Sequence, residues 1–165
     1  VNLRKRDGVA GPHEGRVMTD LGHMYTLTDF QSALLIGQLA RIRQTHKKRH
    51  ALFERYEKAF RGHPVIRVFD RVPNSVHAGH MYMIQVPRAL RDEARRKLKE
   101  AGVETSIHYK PIHLEPFYMK TFGFKRADCP RAESPGDSLN TWPAYSRLTK
   151  KEQDYVINSV LSLFR

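Results

Sequence analysis

The side chains with chemical potential are mostly histidine and tyrosine, and their spacing excludes more than it invites. His108 and His113 stand on either side of Pro111 in HYKPIH. Neither helix nor strand geometry sets rings at that spacing side by side, and no third ligand accompanies them, so no metal site is predicted. A His-Tyr-Lys tip at the end of a strand is still a place where a domain touches a small ligand, since loops on a rigid scaffold present polar groups. Cys129 is the single cysteine. With no second thiol and no base placed beside it, it supports neither a disulfide framework, nor a zinc site, nor an activated nucleophile. Tyr25, just ahead of a helical pattern, either stacks on a ligand or packs. No residue is assigned a catalytic role.

The elements that must position these residues follow from pattern and punctuation. Residues 1–27 are rich in Gly, Arg and His and show no clean period, so they read as irregular. At Thr28 the pattern changes: Thr28 is a good N-cap, Gln31 its capping-box partner, and Asp29 puts negative charge at the positive end of a helix. Apolar residues from Phe30 to Phe60 then recur at helical spacing until Gly62, His63 and Pro64 stop them. The first half, FQSALLIGQLARI, is apolar almost all round, which predicts burial against something larger than a lone small domain.

Val65–Phe69 and His80–Val86 read as strands, the second bounded by Gly79 and Pro87. Pro87 opens a helix whose inner stripe is Ala89, Leu90, Ala94, Leu98 and Ala101, closed by Gly102. A third strand is predicted over Val103–Tyr109. From Lys110 to Tyr145 prolines and aromatics show no period, and a long ordered loop is predicted with helical pieces near 116–121 and 132–139. Tyr82, Phe117 and Trp142 are expected in the core. Thr149 and Glu152 form a second capping box, opening a closing helix with Tyr155, Val156, Val160, Leu161 and Phe164 on one side. The result is an α+β layer, with helices over a small antiparallel sheet.

At 165 residues, with 40% hydrophobic and 10% aromatic content, the chain can hold a core and is no disordered tail. No apolar run reaches the roughly 18 residues of a membrane span, and VNLRKRDGVAG carries no apolar stretch behind its charges, so a cytoplasmic location is expected. The net charge of +12 attracts phosphates of any origin and does not choose among them. The charges of RIRQTHKKRH and RDEARRKLKE lie dispersed on helices, without interleaved exposed aromatics, and read as solvated faces.

Three segments, in order, carry a resemblance. GHMYTLTDFQSALLIGQL (22–39), GVETSIHYKPIHLEPFY (102–118), and CPRAE followed by SLNTWPAYSRLTKKEQDYVI resemble the DegT/DnrJ/EryC1/StrS family of pyridoxal-phosphate sugar aminotransferases. The second contains that family's His-x-x-Pro-x-His-like loop and the third its Pro-x-Ala-Glu. The resemblance covers about residues 22–164 and implies the C-terminal small domain of a type I pyridoxal-phosphate transferase fold. Residues 1–27 are then the remnant of a large-domain connection, 28–62 a linking helix, and 63–165 the small domain.

The implied activity is transfer of an amino group, usually from glutamate, to a nucleotide-linked keto sugar in polysaccharide or amino-sugar synthesis. The implied assembly is a homodimer with active sites between subunits. Tyr25 and Thr26 fall where the resemblance implies contact with the cofactor phosphate, although Met24 and Thr26 stand where many members have Asn and Arg. His108, Tyr109 and His113 are implied to line the sugar or cofactor pocket.

The family's Schiff-base lysine lies upstream of the segment matching Gly22. Lys5 is the sole lysine there, and LRKRDG resembles the arginine-rich helix after the cofactor site, so the chain alone is expected to be an incomplete, inactive enzyme. Two other readings stay open: a non-catalytic dimerising module of the same descent, and a basic nucleic-acid-binding domain supported by charge alone.

Overall fold

A computed structural model describes residues 4–6, 16–18 and 27–164. The chain divides into two compact units, Val1–Arg41 and Ile42–Arg165. In the first, β1 (Arg4–Arg6) pairs antiparallel with β2 (Arg16–Met18), Lys5 facing Val17. This corrects the expectation of wholly irregular chain over 1–27: strands of three residues are too short for alternation to register, so only the pairing reveals them.

Helix α1 spans Asp29–Phe60. Its start is the expected capping box: the Thr28 N–H donates to Gln31 Oε1 at 3.0 Å and the Gln31 N–H to Thr28 Oγ1 at 3.3 Å. Two orphan donors are thereby satisfied in one turn. Within the first unit Phe30, Leu34, Ile36 and Leu39 are exposed.

In the second unit, the later part of α1 turns Leu52, Phe53, Tyr56 and Phe60 inward. Beneath them lies an antiparallel sheet ordered β3 (Arg67–Val68), β4 (Tyr82–Gln85), β5 (Leu139–Trp142). The β4–β5 register sets Tyr82 opposite Trp142 and Ile84 opposite Asn140. Tyr82, Ile84 and Trp142 are buried, and Phe60 meets Trp142 edge-to-face with centroids 4.7 Å apart. The Tyr56 hydroxyl donates to the Pro143 carbonyl at 2.8 Å, and burial pushes its pKa well up. Helices α2 (Arg88–Glu100) and α5 (Lys150–Leu163) add Leu98, Val156, Ile157 and Val160 to the same cluster. Short helices α3 (Pro116–Phe122) and α4 (Pro130–Ser138) occupy the intervening stretch.

Several expectations change. The strand predicted over 103–109 survives only as a bridge between Ser106 and Thr141, with Ser106 N to Thr141 O at 3.1 Å and the reverse bond at 2.8 Å. The third strand is Leu139–Trp142, inside the predicted loop. LNTW carries Asn and sits between helix and proline, so its strand character comes from its neighbours on both sides. On α2 only Ala94 and Leu98 are buried; Ala89, Leu90 and Ala101 face outward. Tyr82 and Trp142 enter the core, whereas Phe117 is exposed because α3 packs no buried residue.

Candidate functional site

The segment carrying the predicted ligand-facing residues begins where α2 must stop. Gly102 has φ +76°, a left-handed conformation that side chains rarely adopt, and its N–H donates to the Lys99 carbonyl while that of Val103 donates to Leu98. The chain then alternates, burying Val103 and Thr105, and is pinned by the Ser106–Thr141 bridge. His108 follows with Nδ1 2.9 Å from Thr141 Oγ1. Tyr109 stands edge-to-face against the His108 ring, with centroids 4.9 Å apart, and is 69% exposed. Lys110 and Glu115 form an ion pair across the loop at 3.5 Å.

His113, on a 3-10 turn over Ile112–Leu114, is 5% exposed, with Nε2 2.9 Å from Oε1 of the buried Glu133 on α4. Glu133 also accepts the N–H of Ala127 at 2.8 Å and that of Cys129 at 3.3 Å. The hydrogen bond from His113, joined by those two backbone donors, holds the Glu133 carboxyl below the ordinary carboxylate range. Pro111 packs so closely on α4 that a Cβ on Gly136 would come within 2.5 Å of its ring. Asp137 of α4 pairs with Arg126 at 2.8 Å and Arg88 at 3.2 Å; the Arg126 hydrogen bond lowers its pKa.

The structure therefore brings His108, Tyr109 and His113 onto one loop but in different settings: Tyr109 outward, His108 tethered to β5, His113 inward. A tyrosine hydroxyl held out beside a lysine can bind and orient a polar ligand. Glu133 ends the Pro-x-Ala-Glu motif, but its role as an anchor is not legible in the sequence: CPRAE puts an acid in the first turn of α4, where backbone donors gather, and gives no sign of His113. Tyr25 and Thr26 lie outside the described residues.

The model of the DegT/DnrJ/EryC1/StrS aminotransferase family matches residues 3–161. The chain belongs to that family. Among solved structures, DesV of S. venezuelae, in complex with a ketimine intermediate, is similar at 28% identity and TM-score 0.74, over 82% of this chain and 36% of that one. The putative sugar aminotransferase Spr1654 from Streptococcus pneumoniae, in its PLP-form, shares 24% identity at TM-score 0.79, over 90% of this chain and 38% of that one. Helicobacter pylori PseC, an aminotransferase of pseudoaminic acid biosynthesis, matches at 21% and TM-score 0.77, over 94% and 42%. This member of the DegT/DnrJ/EryC1/StrS family thus spans about two fifths of the length of those chains, and its α+β fold is theirs.

The family depends on pyridoxal phosphate. The residues from 27 to 164 do not by themselves fit that cofactor, since each lysine among them, from Lys47 to Lys151, is exposed to solvent and none is enclosed in a pocket facing a carboxylate. Among them no three His, Cys, Asp or Glu side chains gather as a metal site, and no helix is long and apolar enough to cross a membrane.

Proposed function

We propose that this chain is the C-terminal part of a pyridoxal-phosphate aminotransferase that moves an amino group, usually from glutamate, onto a nucleotide-linked keto sugar in polysaccharide or amino-sugar biosynthesis. The family match across residues 3–161 carries the reading. The likeness to PseC, an aminotransferase involved in the biosynthesis of pseudoaminic acid, and to DesV, solved with a ketimine intermediate, supports it. Residues 28–62 then act as the linking helix and 63–165 as the small domain, in a cytoplasmic homodimer.

In this reading the small domain binds and orients. Tyr109 reaches the sugar or cofactor, with His108 and His113 shaping the pocket wall behind it, and Tyr25 and Thr26 reach toward the cofactor phosphate. The Schiff-base lysine comes from a large domain outside these residues, and the chain alone is inactive.

The test adds pyridoxal phosphate to the purified chain, follows aldimine absorbance, and maps adducts by mass after borohydride reduction. Scattered or absent labelling is expected; a single specific adduct would overturn the incomplete-enzyme reading. A chimera carrying a relative's large domain should aminate a nucleotide-linked keto sugar with glutamate. Tyr109→Ala should raise its KM with little change in Tm, and unaltered kinetics would remove Tyr109 from the pocket.

A further inference from the structure

The loop that carries His108 and Tyr109 hangs from one buried residue of the sheet. Thr141, the third residue of β5, is 7% exposed and stands opposite Met83 of β4. Its N–H donates to the Ser106 carbonyl at 2.8 Å and its carbonyl accepts the Ser106 N–H at 3.1 Å, so its backbone fixes the chain leading into the loop. That leaves the hydroxyl for a side chain. His108 Nδ1 lies 2.9 Å from Thr141 Oγ1, across a separation of 33 residues in the chain. Backbone and side chain of Thr141 therefore hold one short stretch at two points.

The direction of the Thr141–His108 hydrogen bond decides what the ring offers to a ligand. A hydroxyl has one proton, and a neutral imidazole carries its proton on one nitrogen only. Among the described residues Thr141 Oγ1 makes no other hydrogen bond. If Nδ1–H donated to it, the buried hydroxyl would keep a proton without an acceptor, and an unmade buried donor is costly. If the hydroxyl donates to Nδ1, both groups are satisfied and the imidazole proton sits on Nε2. Nε2 of the half-buried His108 has no partner among the described residues, and the ring is flanked edge-to-face by Tyr109, with centroids 4.9 Å apart.

We infer that Thr141 is a positioning residue: by donating its hydroxyl to Nδ1 it holds His108 as the neutral Nε2–H tautomer, a hydrogen-bond donor to a hydroxyl or keto oxygen of the sugar. The inference rests on the reading that the loop of His108 and Tyr109 lines the sugar or cofactor pocket. A neutral donor fits an uncharged sugar oxygen, and the exposed Tyr109 hydroxyl beside it supplies a second polar contact of the same kind. Valine would fill the place of Thr141 with nearly the same shape and leave Nδ1 without its donor.

The first arm of the test needs only this chain. Long-range proton–nitrogen NMR spectra of the histidine rings, recorded above the titration range of imidazoles, assign His108 through the signal lost in His108→Gln. Nε2 should carry the proton, and Nδ1 should show the shift of a hydrogen-bond acceptor. Thr141→Ser should keep that signature and Thr141→Val should lose it. A proton on Nδ1 in the wild type, averaged tautomers, or a ring spectrum indifferent to Thr141→Val overturns the inference; where the valine variant does not fold, the wild-type tautomer decides. The second arm uses the chimera with a relative's large domain. Thr141→Val should raise KM for the keto sugar about 10-fold, the size of one lost hydrogen bond, with kcat little changed and Thr141→Ser restoring it. Kinetics indifferent to Thr141→Val in a chimera that Tyr109→Ala impairs overturn the inference alone. Indifference to both substitutions overturns the pocket reading, and the inference with it.

Discussion

Nε2 of His113 lies 2.9 Å from Oε1 of Glu133, joining the 3-10 turn after the Tyr109 loop to the first turn of α4 with both side chains buried. The carboxylate collects this bond and two backbone N–H donors, so it is the point through which the loop, the turn at Ala127 and α4 are held together. The shape of the candidate site depends on this pair as much as on the residues that face solvent.

The pair makes stability depend on pH. The Glu133 carboxyl is lowered from its ordinary 4.5, the His113 hydrogen bond being the largest cause, so its contribution is complete above the unfolded value and is lost as pH falls through the folded one. Urea midpoints followed from neutrality into the acid range should fall for the wild type in that window. Glu133→Gln should start lower at neutral pH and show a flatter acid limb; parallel curves would show that the carboxylate does not carry the linkage.

Packing between the loop and α4 leaves no room at Gly136, where a Cβ would stand 2.5 Å from the Pro111 ring. Gly136→Ala should cost about 1–3 kcal/mol, the range for overpacking, despite the better helix propensity of alanine. Chemical denaturation would measure it. A stabilised variant would mean that Pro111 moves aside freely.

Aromatic residues that look alike in the sequence differ in burial. Phe60 is fully buried against Trp142, so Phe60→Ala should cost about 3–5 kcal/mol in chemical denaturation. Phe117 is 66% exposed, and Phe117→Ala should change stability by no more than about 0.5 kcal/mol. Similar losses for both would contradict the orientation of α3.

The early part of α1 exposes Phe30, Leu34, Ile36 and Leu39 together, an apolar surface that monomers seldom leave bare. Light scattering on the purified chain should report a dimer or larger species, and Leu34→Glu combined with Leu39→Glu should shift it toward monomer. A monodisperse wild-type monomer at high concentration would remove the dimer from the proposed assembly.

By itself the sequence determined where the long helices begin and end. Thr28 with Gln31, Gly62, Gly102, and Thr149 with Glu152 act within a few residues of themselves, so capping and left-handed glycines are legible without the fold. The order of three motifs gave the family for the same reason, each being a short local pattern. Only the tertiary structure decided that Leu139–Trp142, and not Val103–Tyr109, is the third strand, that Phe117 turns outward, and that His113 closes on Glu133. Those choices depend on partners far along the chain: Trp142 becomes a strand residue because Tyr82 lies opposite it, and Glu133 becomes an anchor because the loop brings His113 to it. Period and propensity report a residue's neighbours in sequence, and pairing is settled by its neighbours in space.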